Sequence, residues 1–457
     1  MPHTIAIDAR KVGDFGIGTY TRQLIRHLAE IDSENRYVLF VRTAQGRAAL
    51  ADLPENFQIV QHRSPVYSIR ELVTLSWRLF RLRLDLYHST HYVLPAVVPC
   101  RVVVTIHDII HLLYPEFLPS RLAFFYAQRM IRRSLSRADR IIAVSRNTRA
   151  DLGQFFDVDA GKIEVVYNGV DDDFRRRLEP EELDRALRGL ELKRPYILFV
   201  GNPAKPHKNL DNVIRAYARA RELLDFDAPL VCVGDRSSAE FKIRQRAEQL
   251  GIGDRVLLLG HVAEEALPAI YQGATLFLYP TLYEGFGLPV VEAMASGLPV
   301  ITSNTSSLKE IAEGYAHLVD PLDLEAIARA IARCMSDTEH REALARLGRQ
   351  RAEAFHWRRT AERTLEVYLA ALTARQPSWH RVLRRGDAGG DREGGGGGER
   401  ARTGEPGGGE ANAGAAGAAA KSALAGERPE PPPEASPLAE TQRLRPPLGE
   451  GGRRRPR

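Results

Sequence analysis

The sequence predicts an α/β protein of two doubly wound, Rossmann-like domains facing each other across a cleft. Two observations carry this. Short β-branched runs alternate with helical patterns over most of the chain, as in parallel sheets covered on both faces. The runs are also too many for one sheet, so two domains are the economical solution.

The first series of strands includes Thr4–Ile7, Tyr37–Val41, Val102–Ile106, Arg140–Val144 and Ile163–Tyr167. Helical stretches at Thr19–Glu30 and Ser120–Ser136 fall between them. The second series comprises Tyr196–Val200, Leu230–Val233, Val256–Leu259, Thr275–Tyr279 and Val300–Thr302. Helices are expected at Asn209–Leu224, Ala239–Leu250, Ala266–Gln272, Pro289–Ala295 and Leu324–Ser336, with a last one at Trp357–Ala374. The charged segment Asp171–Arg194 has no strand character and marks the boundary. The expected division is therefore 1–175, 176–356, a final helix over 357–375, and a tail over 376–457.

Residues 386–457 hold 18 Gly and 9 Pro and no aromatic, Val or Ile, too little apolar surface to offset ordering entropy, so the tail is expected to be disordered. Its 11 basic and 11 acidic residues cancel, which leaves the net charge of +6 to the folded part. That charge is small for 457 residues, and no recognition motif supports nucleic-acid binding. The three cysteines, Cys100, Cys232 and Cys334, are far apart and form no CxxC, which argues against a disulfide framework or a zinc site and fits a reduced cytosol. MPHTIAIDAR lacks an apolar core for a signal peptide. No apolar run reaches the ~18 residues of a membrane span.

Four constellations could carry chemistry. Gly16-Ile17-Gly18 follows the first strand and opens a helix, where backbone amides can meet a phosphate. His107-Asp108 ends an apolar strand at its carboxyl edge, the usual ligand position in open α/β sheets, and His107 is placed to donate to a substrate. Gly201-Asn202-Pro203-Ala204-Lys205-Pro206-His207-Lys208 joins a strand to a long helix and offers two lysines to phosphate. The fourth, Glu284-Gly285-Phe286-Gly287-Leu288-Pro289-Val290-Val291-Glu292, is the most specific. Two glycines make a flexible loop, Pro289 suits the first helical position, and the amides of Phe286–Val290 would point at one anion. Glu292 is expected in the first helical turn, with Glu284 in the loop, so that both carboxylates could surround one ligand as hydroxyl acceptors.

Together with Ala143-Val144-Ser145, Tyr167-Asn168-Gly169-Val170-Asp171 and Gly260-His261-Val262, these motifs resemble the family 4 glycosyltransferases of the two-domain GT-B architecture, over roughly residues 4–374. The likeness is to bacterial mannosyl- and rhamnosyltransferases. It implies a retaining, metal-independent transferase that needs no cofactor and uses a nucleotide-diphosphate sugar, with GDP-mannose the favoured donor. By position, the resemblance puts Gly16 and Gly18 at the donor diphosphate, with Lys208 and the amides from Gly285 to Leu288. It puts His107 beside the donor sugar, Glu284 on sugar hydroxyls, Glu292 on the ribose, and the backbone of His261 and Val262 at the base. Many members carry Arg where this chain has Asn202, and Lys205 is expected to supply part of the missing charge.

Residues 63–149 hold 14 Arg and 5 acids, and basic amphipathic stretches such as Trp77–Arg83 and Phe124–Leu135 lie within them. This strip predicts a cytoplasmic protein docked peripherally on an anionic membrane, with a glycan or lipid-linked acceptor. The rival readings are a non-catalytic glycan- or partner-binding protein on the same fold and a nucleotide-sugar epimerase.

Overall fold

The computed structural model describes residues 2–64, 68–118, 120–235 and 240–374. The expected disordered tail lies outside the described residues. The described residues belong to one compact unit, Met1–Gly390.

Two parallel sheets organise that unit. The first has strands β1 (Thr4–Asp8), β2 (Arg36–Val41), β3 (Phe57–Gln61), β4 (Leu86–Ser89), β5 (Arg101–Ile106), β6 (Arg140–Ala143) and β7 (Ile163–Val165), in the order β3-β2-β1-β4-β5-β6-β7. The second has β8 (Ile197–Val200), β9 (Leu230–Val233), β10 (Val256–Gly260), β11 (Leu276–Tyr279), β12 (Val300–Ser303) and β13 (His317–Val319), in the order β10-β9-β8-β11-β12-β13. Both orders reverse beside the first strand of their series, so each sheet has a crevice at the carboxyl ends of its central strands.

The apolar runs are continuous because both faces are covered. In β1, Ile5 and Ile7 face one core of the first domain while Ala6 faces the other. In β5, Val102, Val104 and Ile106 face one side and Val103 the other. A single large core fills the second domain, around Phe199, Tyr217, Phe277 and Val291.

Three strands, β3, β4 and β13, extend the sequence expectation. β4 reads Leu-Tyr-His-Ser, and its polar residues are fully buried in a hydrogen-bonded network. His88 Nδ1 meets the Tyr368 hydroxyl at 2.7 Å, and His88 Nε2 meets Thr105 Oγ1 at 2.8 Å.

The chain crosses between domains twice, at neighbouring points. A Cβ on Gly169 would lie 2.1 Å from the Trp357 nitrogen, so only glycine lets the two crossings touch. Val170 pairs with His356, and Thr360 Oγ1 donates to the Tyr167 carbonyl at 2.7 Å. Val170 and Phe174 already pack in the second core, which puts the first crossing at Gly169. After the second crossing, helix Trp357–Thr373 buries Trp357, Ala361, Val367, Tyr368 and Ala371 against the first domain.

Candidate active site

The site is built on loops at the carboxyl edges of the two sheets. After β1, Gly16 caps helix Ile17–Ile31 with φ of 24°. A Cβ on Gly18 would stand 2.7 Å from the Val12 carbonyl oxygen. Close packing of this loop is therefore one physical reason for that glycine.

After β5, the His107 ring stands edge-on to Tyr20, with centroids 4.9 Å apart. Its Nε2 lies 3.0 Å from the Thr90 carbonyl. A carbonyl only accepts, so the proton is on Nε2. Burial pushes the imidazole down to about 4, against the opposing bond to Thr90. Neutral His107 thus presents Nδ1 as an acceptor, where donation to a substrate was expected. Burial raises the neighbouring Asp108 carboxyl, and the nearby Glu284 charge adds to the rise.

After β8, a single turn at Pro206–Lys208 presents Lys208. Its Nζ donates to the Tyr279 hydroxyl and to Glu284 Oε1, each at 2.8 Å. The Tyr279 hydroxyl itself donates to Glu284 Oε1 at 3.0 Å. Three groups from three segments thus form one triangle. An ammonium has three donors, so one remains for a ligand. In the same loop, Asn202 Oδ1 accepts from the Ala204 amide at 2.9 Å, which ties its side chain into the turn, while Lys205 is exposed.

The loop after β11 is held by serines. Ser306 Oγ accepts from the Glu284 amide at 3.1 Å, and Ser307 Oγ donates to the carbonyls of Glu284 and Phe286, both at 2.8 Å. Gly287 adopts φ of 102°, and Leu288 opens the helix Leu288–Ala295. Pro289 is the second helical residue, not the first. The expected fan of amides is narrower than Phe286–Val290, because Pro289 has no N–H and the Val290 amide bonds to the Gly287 carbonyl at 3.0 Å. The amides of Gly287 and Leu288 have no acceptor among the described residues. Phe286 is a core residue, edge-on to Phe355 at 5.7 Å.

Glu292 is the fifth helical residue, one position deeper than a helix opened by Pro289 would place it. It accepts from the Tyr271 hydroxyl at 2.9 Å, and burial lifts its carboxyl to about 7 despite that bond. His261 is exposed, with its ring 6.0 Å from that of Phe15 of the first domain, while Val262 packs against the second core.

The two halves meet at Gly285. Its carbonyl accepts from Ser145 Oγ at 2.7 Å and Thr148 Oγ1 at 3.2 Å. The structure brings His107 to Gly285 through Thr148 Oγ1, which reaches both carbonyls, and joins Lys208 to Glu284, while Glu292 bonds to Tyr271 and His261 and Val262 follow β10. Sequence reasoning gave no site role to Thr90, Ser145, Thr148 or Tyr279, although Ser145 stands in the Ala143-Val144-Ser145 motif and Tyr279 opens the run that leads to Glu284. Ser145 and Tyr279 carried a usable signal, since each ends an apolar run at a carboxyl edge.

Beneath the first-domain loops, Asp8, Glu71 and His91 bring one ligand atom each within 4.8 Å of one another. A cation already sits there: Arg10 reaches Asp8 at 2.5 Å and Glu71 at 2.6 Å. Burial alone would raise the Asp8 carboxyl, but the guanidinium holds it well below the usual range.

Two family models match this chain. One, described as Glycosyltransferase Family 4, covers residues 16–174, and the other, Glycosyl transferases group 1, covers residues 181–351. The chain belongs to the family 4 glycosyltransferases. Over 371 residues this glycosyltransferase is 28% identical to O-antigen chain mannosyltransferase B of Escherichia coli, covering 77% of the chain and 95% of that relative. It is 36% identical over 255 residues to the D-inositol 3-phosphate glycosyltransferase of Salinispora tropica, and spans about half the length of that one, 52% of each chain being covered. Its fold matches that of HepE from Anabaena, solved with UDP and glucose, with a TM-score of 0.67 at 18% identity over 80% of this chain and 100% of that one. The architecture is thus GT-B.

Proposed function

We propose that this glycosyltransferase moves mannose, with retention and without a metal, from GDP-mannose to a glycan or lipid-linked acceptor in cell-surface polysaccharide synthesis. The carrying observation is the Lys208–Glu284–Tyr279 triangle in a cleft closed on the other side by His107. Mannose and the polysaccharide context rest on the nearly full-length likeness to an O-antigen mannosyltransferase.

In this reading the donor diphosphate lies at Lys208 and the Gly287 and Leu288 amides, near the Gly16–Gly18 turn. Lys208 exchanges Glu284 for phosphate, which frees that carboxylate for sugar hydroxyls. Glu292 takes the ribose, the backbone of His261 and Val262 meets the base, and exposed Lys205 adds positive charge. Asn202 contributes turn geometry. Neutral His107 accepts a sugar hydroxyl through Nδ1.

The anomeric carbon–oxygen bond then breaks as charge builds on the diphosphate, which fixed donors stabilise without reorganising. With donor bound, Glu284 is taken up by the sugar hydroxyls, and the burial-raised Asp108 favours its neutral form. Neither is set up as the nucleophile of a two-carboxylate scheme. The acceptor oxygen therefore attacks on the face the diphosphate leaves. Its proton passes to the departing phosphate oxygen, which completes the balance.

No described helix is long and apolar enough to cross a membrane. Helix Ile69–Arg81 nevertheless exposes Val73 (62%), Trp77 (56%) and Phe80 (47%), and helix Arg121–Arg137 exposes Leu122 (80%) and Phe125 (60%). The loop between the two helices bonds to both. The Ala96 amide donates to the Leu72 carbonyl at 2.8 Å, and Arg133 reaches the Leu94 carbonyl at 2.9 Å. This apolar and arginine-rich face is our reading of the basic strip 63–149, a peripheral contact with an anionic cytoplasmic leaflet.

A panel of nucleotide sugars, read by proton NMR of the product's anomeric centre with and without chelator, tests the reading. Transfer from GDP-mannose with retained configuration in chelator is expected. Inversion, or a strict metal requirement, would falsify the mechanism.

A further inference from the structure

The first domain holds a cavity of about 560 Å³ that the donor site does not use. One wall is the chain leaving β3, with His62, Arg63 and Ser64. The other is one face of helix Ile69–Arg81, with Arg70, Thr74 and Arg78 at successive helical turns. The rim is built and polar: Ser64 Oγ and Thr74 Oγ1 lie 2.8 Å apart, and His62 Nε2 stands 3.4 Å from Thr74 Oγ1.

The charge around this cavity is unbalanced. Among the described residues, Arg63, Arg70 and Arg78 form no ion pair. The buried acids Asp8 and Glu71 are bound by Arg10. His62 registers the resulting field: burial pushes it down to about 4, and Arg10, Arg78 and Arg70 push the same way. Three unpaired guanidiniums with hydroxyls between them suit a phosphate or pyrophosphate, which accepts forked N–H bonds.

The position is equally specific. β3 is the edge strand, four strand spacings from β5 and His107, or roughly 19 Å along the same carboxyl edge. The arginine row Arg70–Thr74–Arg78 runs beside the exposed apolar row Val73–Trp77 on the same helix. The cavity thus shares helix Ile69–Arg81 with the face proposed to meet lipid, and the carboxyl edge of the sheet with His107.

We propose that this cavity binds the pyrophosphate that joins the acceptor glycan to its lipid, with the glycan extending along the edge to His107. The proposal rests on the lipid-linked acceptor reading above. It makes Arg63, Arg70 and Arg78 acceptor-specificity residues with no part in donor chemistry.

The test compares wild type with Arg70→Gln/Arg78→Gln, and with Arg63→Gln as a milder variant. Each is assayed with a water-soluble, short-chain pyrophosphate-linked glycan and with the same glycan lacking phosphate. The double variant should raise KM for the pyrophosphate-linked acceptor by about tenfold or more, the equivalent of one lost charge-assisted contact. KM for the phosphate-free glycan and the rate of donor hydrolysis should stay unchanged. An equal KM rise for both acceptors, or no rise, overturns the proposal. So does a loss confined to sedimentation with anionic vesicles, which would make the ligand a bilayer headgroup. If wild type uses only the phosphate-free glycan, the lipid-linked reading fails by itself. Calorimetric titration with inorganic pyrophosphate then decides the cavity: two sites in wild type and one in the double variant support it, and equal stoichiometry overturns it.

Discussion

The carbonyl oxygen of His107 faces the α-carbon of Gly285 so closely that a Cβ there would stand 1.8 Å from it. One domain's His107 and the other domain's Gly285 thus share a contact that only glycine at position 285 permits. Both atoms are backbone, so no side chain can turn away to relieve an overlap. Gly285→Ala should prop the cleft open while leaving each core intact. A misplacement of about 1 Å can lower activity by roughly 10²-fold, and a loss of that size in kcat/KM is expected. The melting temperature should barely move, and small-angle scattering should show a more open molecule with donor bound. A variant with wild-type kinetics would mean that this contact is not made during turnover.

Lys208 is the cation that the triangle holds ready. Lys208→Ala should lower kcat by about 10²–10³-fold, the range for removing one preorganised donor from a developing anion. Lys208→Arg should not restore the rate, because a planar guanidinium cannot replace a point ammonium between Tyr279 and Glu284. Tyr279→Phe deletes one neutral hydrogen-bonding group and leaves the ion pair, so a loss of about fivefold is expected. Single-turnover rates at saturating donor separate these chemical effects from binding. A Tyr279→Phe enzyme slower than Lys208→Ala would reverse the assignment.

Glu310 fastens the closed cleft from the second domain. Its two carboxylate oxygens accept from the Arg146 and Asn147 amides, each at 3.0 Å, at the start of helix Arg146–Phe155 of the first domain. The Tyr167 hydroxyl donates to the same group at 2.5 Å. A carboxylate at a helix N-terminus also gains from the dipole. Glu310→Gln turns one acceptor into a donor facing an N–H, so closure weakens and donor KM should rise severalfold. Glu310→Asp, which keeps the charge but is shorter, should recover part of it. Identical donor affinity in all three proteins would count against the latch.

The sequence was most legible where local pattern and burial agree. β1, β5, β9 and β11 are continuous apolar runs, and each was found to within a residue or two. β4 escaped because His88 and Ser89 look like loop residues. In the fold His88 is satisfied by Tyr368, 280 positions away, and by Thr105, while Ser89 Oγ meets the His91 and Val93 carbonyls. Lys208, Glu284 and His107 were visible as polar residues in the loops that follow strand ends. Their mutual arrangement was not, since Tyr279 and Thr90 act through tertiary contacts. Glu292 was found but set one residue too shallow, because Leu288 and not Pro289 opens the helix. Glu310 lies in Ser306–Ala312, an ordinary amphipathic helix, and only the opposite domain gives it a role.

With Glu292 on the ribose as proposed, its buried carboxyl makes donor binding pH-dependent. Its pKa of about 7, against an ordinary 4.5, means that it is largely protonated in the free enzyme below neutrality. A protonated carboxyl is a poorer acceptor for ribose hydroxyls, so donor affinity should fall as pH drops from 8 to 6. Stability moves the other way. Between pH 4.5 and 7 the folded state holds a proton that the unfolded state has released, so rising pH lowers this group's contribution through that window. Glu292→Gln should flatten both profiles in this range while weakening donor binding at pH 8. Calorimetric donor titrations at several pH values, with melts alongside, measure both. A wild-type donor Kd that does not vary between pH 6 and 8 would remove the role.

The exposed face of helix Ile69–Arg81 makes the membrane reading separable from general basicity. The Arg81 guanidinium lies 3.7 Å over the Trp77 ring, so the two present one amphipathic unit, with apolar area beside charge. Anionic lipid attracts about 1 kcal/mol per basic residue near its surface, a term that salt screens. Insertion of Trp77 and Phe80 adds an apolar term that salt does not screen. Wild type should therefore sediment with anionic vesicles at low salt and keep part of its binding at high salt. Trp77→Ser/Phe80→Ser should lose the salt-resistant part alone. Arg81→Gln/Arg83→Gln should lose mainly the salt-sensitive part. Transfer to a soluble acceptor should be untouched in both, since neither pair reaches the cleft. Vesicle binding that disappears fully with salt in wild type would show that the aromatic residues do not insert.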